Sequence, residues 1–86
     1  MKKIVIYSSL ICPYCIAAKN FFKNNKLQYT EIIIDNQPEK KKKMISQSGG
    51  KFTVPQIFFG NYHVGGYDDL IRLSEQGKLF GILKNE

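Results

Sequence analysis

The chain of 86 residues holds two cysteines, Cys12 and Cys15, separated by Pro13 and Tyr14. Proline is best tolerated in the first turn of a helix, so Pro13 marks a helix start and puts both sulfurs on one face of that turn, within reach of a disulfide. Cys12 then sits among backbone N–H groups without an intrahelical acceptor, and these, with the helix dipole, favour a thiolate. Cys15, one turn deeper, gains less from the dipole and is better placed to attack a mixed disulfide already formed on Cys12. The pair divides into a nucleophile and a resolving thiol. Two other readings, inert core cysteines or half of a metal site, stay open on spacing alone.

The elements around the pair decide between these readings. Ile4-Val5-Ile6-Tyr7 is a short apolar run rich in β-branched residues, which suits a strand covered on both faces, and Ser8 to Ile11 form a loop. From Pro13 the period changes: Tyr14, Ala17, Ala18 and Phe21 make one stripe of an amphipathic helix that ends near Asn24-Asn25. Gln28 to Ile34 predicts a second strand, and the crossover helix between the two makes a βαβ unit with parallel strands. Pro38 opens a second helix, anchored by Met44 and Ile45 and broken at Ser48-Gly49-Gly50. Gln56 to Phe59 and Tyr62 to Val64 are short strands around Gly60-Asn61, a hairpin dipeptide. A third helix follows Gly65-Gly66, with Asp68 and Asp69 near its N-terminus. It buries Leu70, Ile71 and Leu73 and stops at Gly77. The last nine residues predict one more amphipathic turn through Leu79, Phe80, Ile82 and Leu83. The order β-α-β-α-β-β-α predicts an α/β fold, a mixed four-stranded sheet flanked by helices, in one domain spanning 1–86. A C-x-x-C that follows a strand and opens a helix inside a βαβ unit marks a thiol redox site.

Composition removes the main competitors. Two cysteines cannot supply the disulfide framework of a small secreted scaffold, and with the single histidine they cannot close a four-ligand zinc site. Six Phe, five Tyr and 43% hydrophobic residues suffice for an ordinary core. The formal charge of +6 favours anionic partners. Lys40 to Lys43 lack interleaved aromatics, however, and Arg72 is the one arginine, so neither base stacking nor bidentate base readout is indicated and no nucleic-acid partner is expected. The lysine run reads as a solvated helix face. No stretch approaches a membrane span. Ser8 and Ser9 interrupt the first apolar run and bulky Ile11 precedes Cys12, features that oppose a secretory signal; the expectation is a cytoplasmic protein.

The sequence resembles the glutaredoxins over nearly its whole length. CPYC is the dithiol motif of that family, whereas thioredoxins carry WCGPC and monothiol glutaredoxins CGFS. Thr53-Val54-Pro55 followed by Gln56-Ile57-Phe58, and Gly65-Gly66-Tyr67-Asp68-Asp69, match in the right order. The resemblance implies a thioredoxin-like fold and a glutathione-dependent thiol–disulfide oxidoreductase that reduces protein disulfides and protein–glutathione mixed disulfides. Ribonucleotide reductase is one candidate among the protein partners. It further implies a monomer with no tightly bound cofactor, using glutathione as co-substrate. Pro55 would be a cis-proline facing the site, and the cysteinyl backbone of glutathione would pair with Val54 like an added strand. Gly66, Tyr67 and Asp68 would receive the γ-glutamyl end, its carboxylate on helix N–H groups and its ammonium on Asp68. Pro13, Tyr14 and Thr53 complete the glutathione site.

Two expected cations are missing. Many glutaredoxins carry a lysine shortly before CPYC, where this chain has Ser8-Ser9-Leu10-Ile11, and Phe52 stands where an arginine is common. Lys42 and Lys51 are the candidates to substitute. Lys19, two turns beyond Cys12 on the same face, should have little effect on the Cys12 thiolate. One competing reading is a relative reduced by thioredoxin reductase. Another, of a different class, is a dimer sharing an iron–sulfur cluster through Cys12, which Pro13 opposes.

Overall fold

The computed structural model describes residues 1–85 and contains β1 (Ile4–Ser8), α1 (Pro13–Asn24), β2 (Thr30–Ile33), α2 (Pro38–Gln47), β3 (Gln56–Phe59), β4 (Tyr62–Gly65), α3 (Tyr67–Glu75) and α4 (Leu79–Lys84). The sheet order is β2-β1-β3-β4, with β1 and β2 parallel and the other pairs antiparallel. The apolar runs of the two central strands follow from this layering. Ile4 and Ile6 of β1 and Ile57 and Phe59 of β3 point into one core, with Ala18 and Phe22 of α1, Leu70 of α3 and Leu79 and Leu83 of α4. The alternate residues Val5, Tyr7 and Phe58 point the other way, against Met44 and Ile45 of α2. Alternation along a strand thus fills two cores at once.

Three expectations need correction. The second strand is shorter than Gln28 to Ile34, and Tyr29, just before it, packs its ring on Phe22 at a centroid distance of 5.4 Å. The buried stripe of α1 is Cys15, Ala18 and Phe22, one residue on from the expected Tyr14, Ala17, Ala18 and Phe21. Cys15 belongs to the core like any small apolar side chain, which turns Tyr14 outward to 62% exposure. In α3, Leu70 is fully buried while Ile71 and Leu73 are only partly so. The expected final turn is present as α4, which buries Leu79 and Leu83.

The first three helices end alike. After α2 and α3 the chain turns through Gly49 and Gly77 at positive φ, and the next N–H returns to the carbonyl of Ile45 or Leu73. After α1 the same closure, Leu27 N–H to Phe22 O at 2.8 Å, requires Lys26 at φ 57°. This left-handed position ordinarily takes glycine.

The loop between β1 and α1 is tied to the end of β2. The Ser9 hydroxyl donates to Asp35 Oδ1 at 2.6 Å and the Leu10 N–H to Oδ2 at 2.8 Å. These two bonds, Ser9 first, hold the Asp35 carboxyl below its ordinary value of 3.8. One carboxylate thereby fixes the segment that delivers Cys12 to its helix.

Lys26→Gly should raise stability in urea unfolding by about 0.5–1 kcal/mol, since it removes the left-handed penalty while loosening the unfolded chain. For Asp35, the lowered carboxyl means a contribution present above the ordinary carboxyl range and lost as pH falls through the lowered value. The stability difference between wild type and Asp35→Ala should therefore hold constant from neutral pH to about pH 5 and shrink in stronger acid.

Candidate active site

Cys12 is the N-cap of α1, with extended backbone (φ −150°, ψ 102°), and Pro13 occupies the first helical position. Its sulfur accepts the otherwise orphaned N–H of Cys15 at 3.2 Å and lies 3.8 Å from the Val54 carbonyl oxygen. A sulfur in this place takes one backbone N–H as a capping oxygen would. Cys12 keeps 8% exposure and Cys15 none, and the two are unbridged. Burial, followed by the hydrogen bond to Cys12, pushes the Cys15 thiol up to about 12, against a lowering by the Ser9 backbone and the Lys19 charge. Cys15 is therefore a thiol at neutral pH, and of the two residues Cys12 alone keeps any exposure.

Val54 and Pro55 join through a cis peptide bond beside Cys12. Tyr14, Thr53, Val54, Pro55, Gly66, Tyr67 and Asp68 line one shallow cavity of about 270 Å³, with Asp69 added to them. The Tyr14 and Tyr67 rings face one another at 6.2 Å across it. Gly65 has a steric reason: its φ is +113°, and a Cβ there would run into the Asp69 carboxylate. Gly66 sits beside the cis-proline loop, where a Cβ would make only an ordinary 3.6 Å contact with the Pro55 carbonyl oxygen. The Gly66 N–H already donates to Asp69 Oδ2 at 3.0 Å, so the N–H groups after it are the ones left to face the cavity.

Other candidates lie elsewhere. Pro13 is exposed and does not line the cavity. Lys42 is exposed on α2, 3.8 Å from Glu39, and Lys51 joins Ser48 through its backbone. Neither lines the cavity, and neither does any other lysine or arginine. Leu10, Ile11 and Phe52, which stand where cations were expected, are 72%, 92% and 70% exposed. Among the described residues no three His, Cys, Asp or Glu side chains come together, and no helix is long and apolar enough to cross a membrane.

Sequence reasoning missed a polar chain beneath the cavity. His63 Nε2 lies 2.7 Å from Gln56 Oε1, and Gln56 Nε2 donates to Thr53 Oγ1 at 3.3 Å, so β4 braces the cis-proline loop through β3. Gln56 is 3% exposed, and the His63 ring stacks on Phe58 at 4.9 Å. Burial holds the imidazole below its ordinary value. Pairing across the β3–β4 hairpin could have signalled this, because it sets His63 opposite Phe58, near Gln56.

The glutaredoxin family model matches residues 4–64. Glutaredoxin 1 of Rickettsia prowazekii is 48% identical over 84 residues, covering 96% of this chain and 88% of that protein. The solution structure of the Brucella melitensis glutaredoxin superposes with a TM-score of 0.83 at 42% identity, covering 98% of this chain and 90% of that one. A crystal structure of buckwheat glutaredoxin in complex with glutathione superposes with a TM-score of 0.85 at 28% identity, covering 95% and 76%. The mixed sheet with its flanking helices is the thioredoxin-like fold. With the capped Cys12, the buried Cys15 and the cis-proline loop already in place, these matches mean that the chain belongs to the glutaredoxin family of thiol oxidoreductases.

Proposed function

We propose that the protein reduces protein disulfides and protein–glutathione mixed disulfides at the expense of glutathione, with Cys12 as nucleophile and Cys15 as resolving thiol. The observation that carries this reading is the placement of Cys12: a sulfur capped by the Cys15 N–H and 3.8 Å from the carbonyl of Val54, a residue that lines the cavity together with Tyr14 and Tyr67. The buckwheat protein bound to glutathione supports the choice of co-substrate.

On a glutathionylated protein, the Cys12 thiolate attacks the glutathione sulfur and the protein departs as a thiolate that takes up a proton. A second glutathione thiolate attacks the same glutathione sulfur, releasing glutathione disulfide and restoring Cys12. On a protein disulfide, Cys12 forms a mixed disulfide with the substrate and Cys15 attacks Cys12. The substrate leaves as a dithiol, and two glutathiones then reduce the Cys12–Cys15 bond. The glutathione backbone pairs with Val54, its γ-glutamyl carboxylate meets the first turn of α3 and its ammonium meets Asp68. Pro13, Tyr14, Thr53, Pro55, Gly66 and Tyr67 shape this site, with Lys42 and Lys51 supplying positive charge from outside it. The reading extends to one domain over 1–86, working as a monomer in the cytoplasm without a bound cofactor.

The absence of lysine and arginine from the cavity lining favours one second reading, in which thioredoxin reductase rather than glutathione supplies the electrons. Both are tested in one assay of a glutathionylated peptide with each donor in parallel. With glutathione, Cys12→Ser should lose turnover entirely and Cys15→Ser should keep most of it; full activity of Cys12→Ser, or turnover with the reductase alone, overturns the first reading. Asp68→Ala should raise the KM for glutathione on the order of tenfold with kcat within about twofold, as expected for a charged hydrogen bond at a partly solvated site.

A further inference from the structure

Lys19 lies four residues after Cys15 on α1, the spacing at which helix side chains are neighbours. Its ammonium donates to Glu31 Oε2 at 2.8 Å, and the same oxygen accepts the Ser8 hydroxyl at 2.5 Å. Ser8 is fully buried, and the Lys19 and Glu31 side chains are 23% and 27% exposed. The group is therefore tucked between α1 and the β1–β2 pair rather than set on the open surface. Burial alone would raise the Glu31 carboxyl, but the bonds from Lys19 and Ser8, helped by the Lys19 and Lys23 charges, hold it below its ordinary value. It remains an anion able to keep the lysine in place. Neither Lys19 nor Glu31 lines the glutathione cavity, so the proposed binding of glutathione does not use them.

One helical turn before Lys19 on the same face of α1 stands the buried Cys15. A thiol with no exposure must give up its proton before it can attack, and a buried thiolate is costly without a compensating charge. Cys12, bonded to the substrate sulfur at that stage, carries no charge, and the charge that favours a Cys15 anion is that of Lys19. We propose that Lys19, held by Glu31 and Ser8, is a positioning residue for the resolving step, presenting its ammonium to Cys15 as that thiol becomes the attacking group. The inference rests on the reading of Cys15 as the resolving thiol. In the step, the Cys15 sulfur bonds to the Cys12 sulfur, the bond between Cys12 and the substrate sulfur breaks, and the proton given up by Cys15 ends on the departing substrate thiolate. The exchange is balanced and needs no other oxidant or reductant.

The test is single-turnover reduction of a disulfide-bridged peptide by the pre-reduced protein without glutathione, followed by stopped flow from pH 6 to 9. Lys19→Met should slow release of the substrate dithiol about tenfold at neutral pH, the scale of one charge lost from a partly screened site, and move the rise of the rate with pH to higher pH. Lys19→Arg should restore the rate to within about twofold. In a Cys15→Ser background the lysine has no resolving thiol to act through, and there Lys19→Met should change glutathione-driven turnover of a glutathionylated peptide by less than twofold, which also shows that the variant folds. An unchanged release rate in Lys19→Met, or equal slowing of both assays, overturns the proposal. If Cys15→Ser itself releases the substrate as fast as the wild type, the role of Cys15 fails, and this inference with it.

Discussion

The N–H of Cys15 donating to the Cys12 sulfur joins the fold to the chemistry of this protein. A helix must begin at Pro13 for that N–H to be free, and β1 must deliver the chain to the spot where the helix begins. The rest of the architecture secures those two conditions. Both faces of β1 are packed, Asp35 fastens the loop that leaves it, and Phe22 and Ala18 lock α1 onto the sheet. The second wall of the site is held as firmly. Gln56 and His63 brace Thr53, while Gly65 leaves room for the Asp69 side chain at the start of α3. Residues far apart in the chain meet because each rides on an element with its own reason to be there.

Most of this was legible in the residues. Period-2 apolar runs, Pro13, Pro38 and the glycines at the helix ends located the elements. Cys12, Tyr14, Val54, Pro55 and Asp68, separated by up to 56 positions of sequence, are brought to one place by the sheet order. The errors have physical causes. Treating Cys15 as chemistry rather than as a small apolar side chain shifted the buried stripe of α1 by one residue. Lys26 at a left-handed position carried no glycine to announce it. The bond from Ser8 to Glu31 joins strands separated by a whole helix and has no signature in a local window, whereas Gln56 to His63 lies within one hairpin and follows from its register.

Positive charge is distributed differently from the first impression of a +6 chain. Lys42 pairs with Glu39 on the outer face of α2, and no lysine or arginine lines the cavity. At the positions where cations were expected stand apolar side chains instead, with Leu10, Ile11 and Phe52 exposed. Local donors and helix N–H groups, rather than cations, are what the cavity offers an anion. The surplus lysines create a general positive potential that favours approach of anions from a distance.

The sheet terminates in two strands of only four residues each, β2 and β4. A thiol-exchange protein must repeatedly touch other chains, some of them partly unfolded and ready to extend any open sheet. Its margins leave few unpaired backbone groups, and one margin bears the ion-paired Glu31, so strand-on-strand growth finds little purchase. Under the proposed function, encounters with protein substrates would then be brief and confined to the sulfur, and one small protein would serve successive substrates without being captured by them.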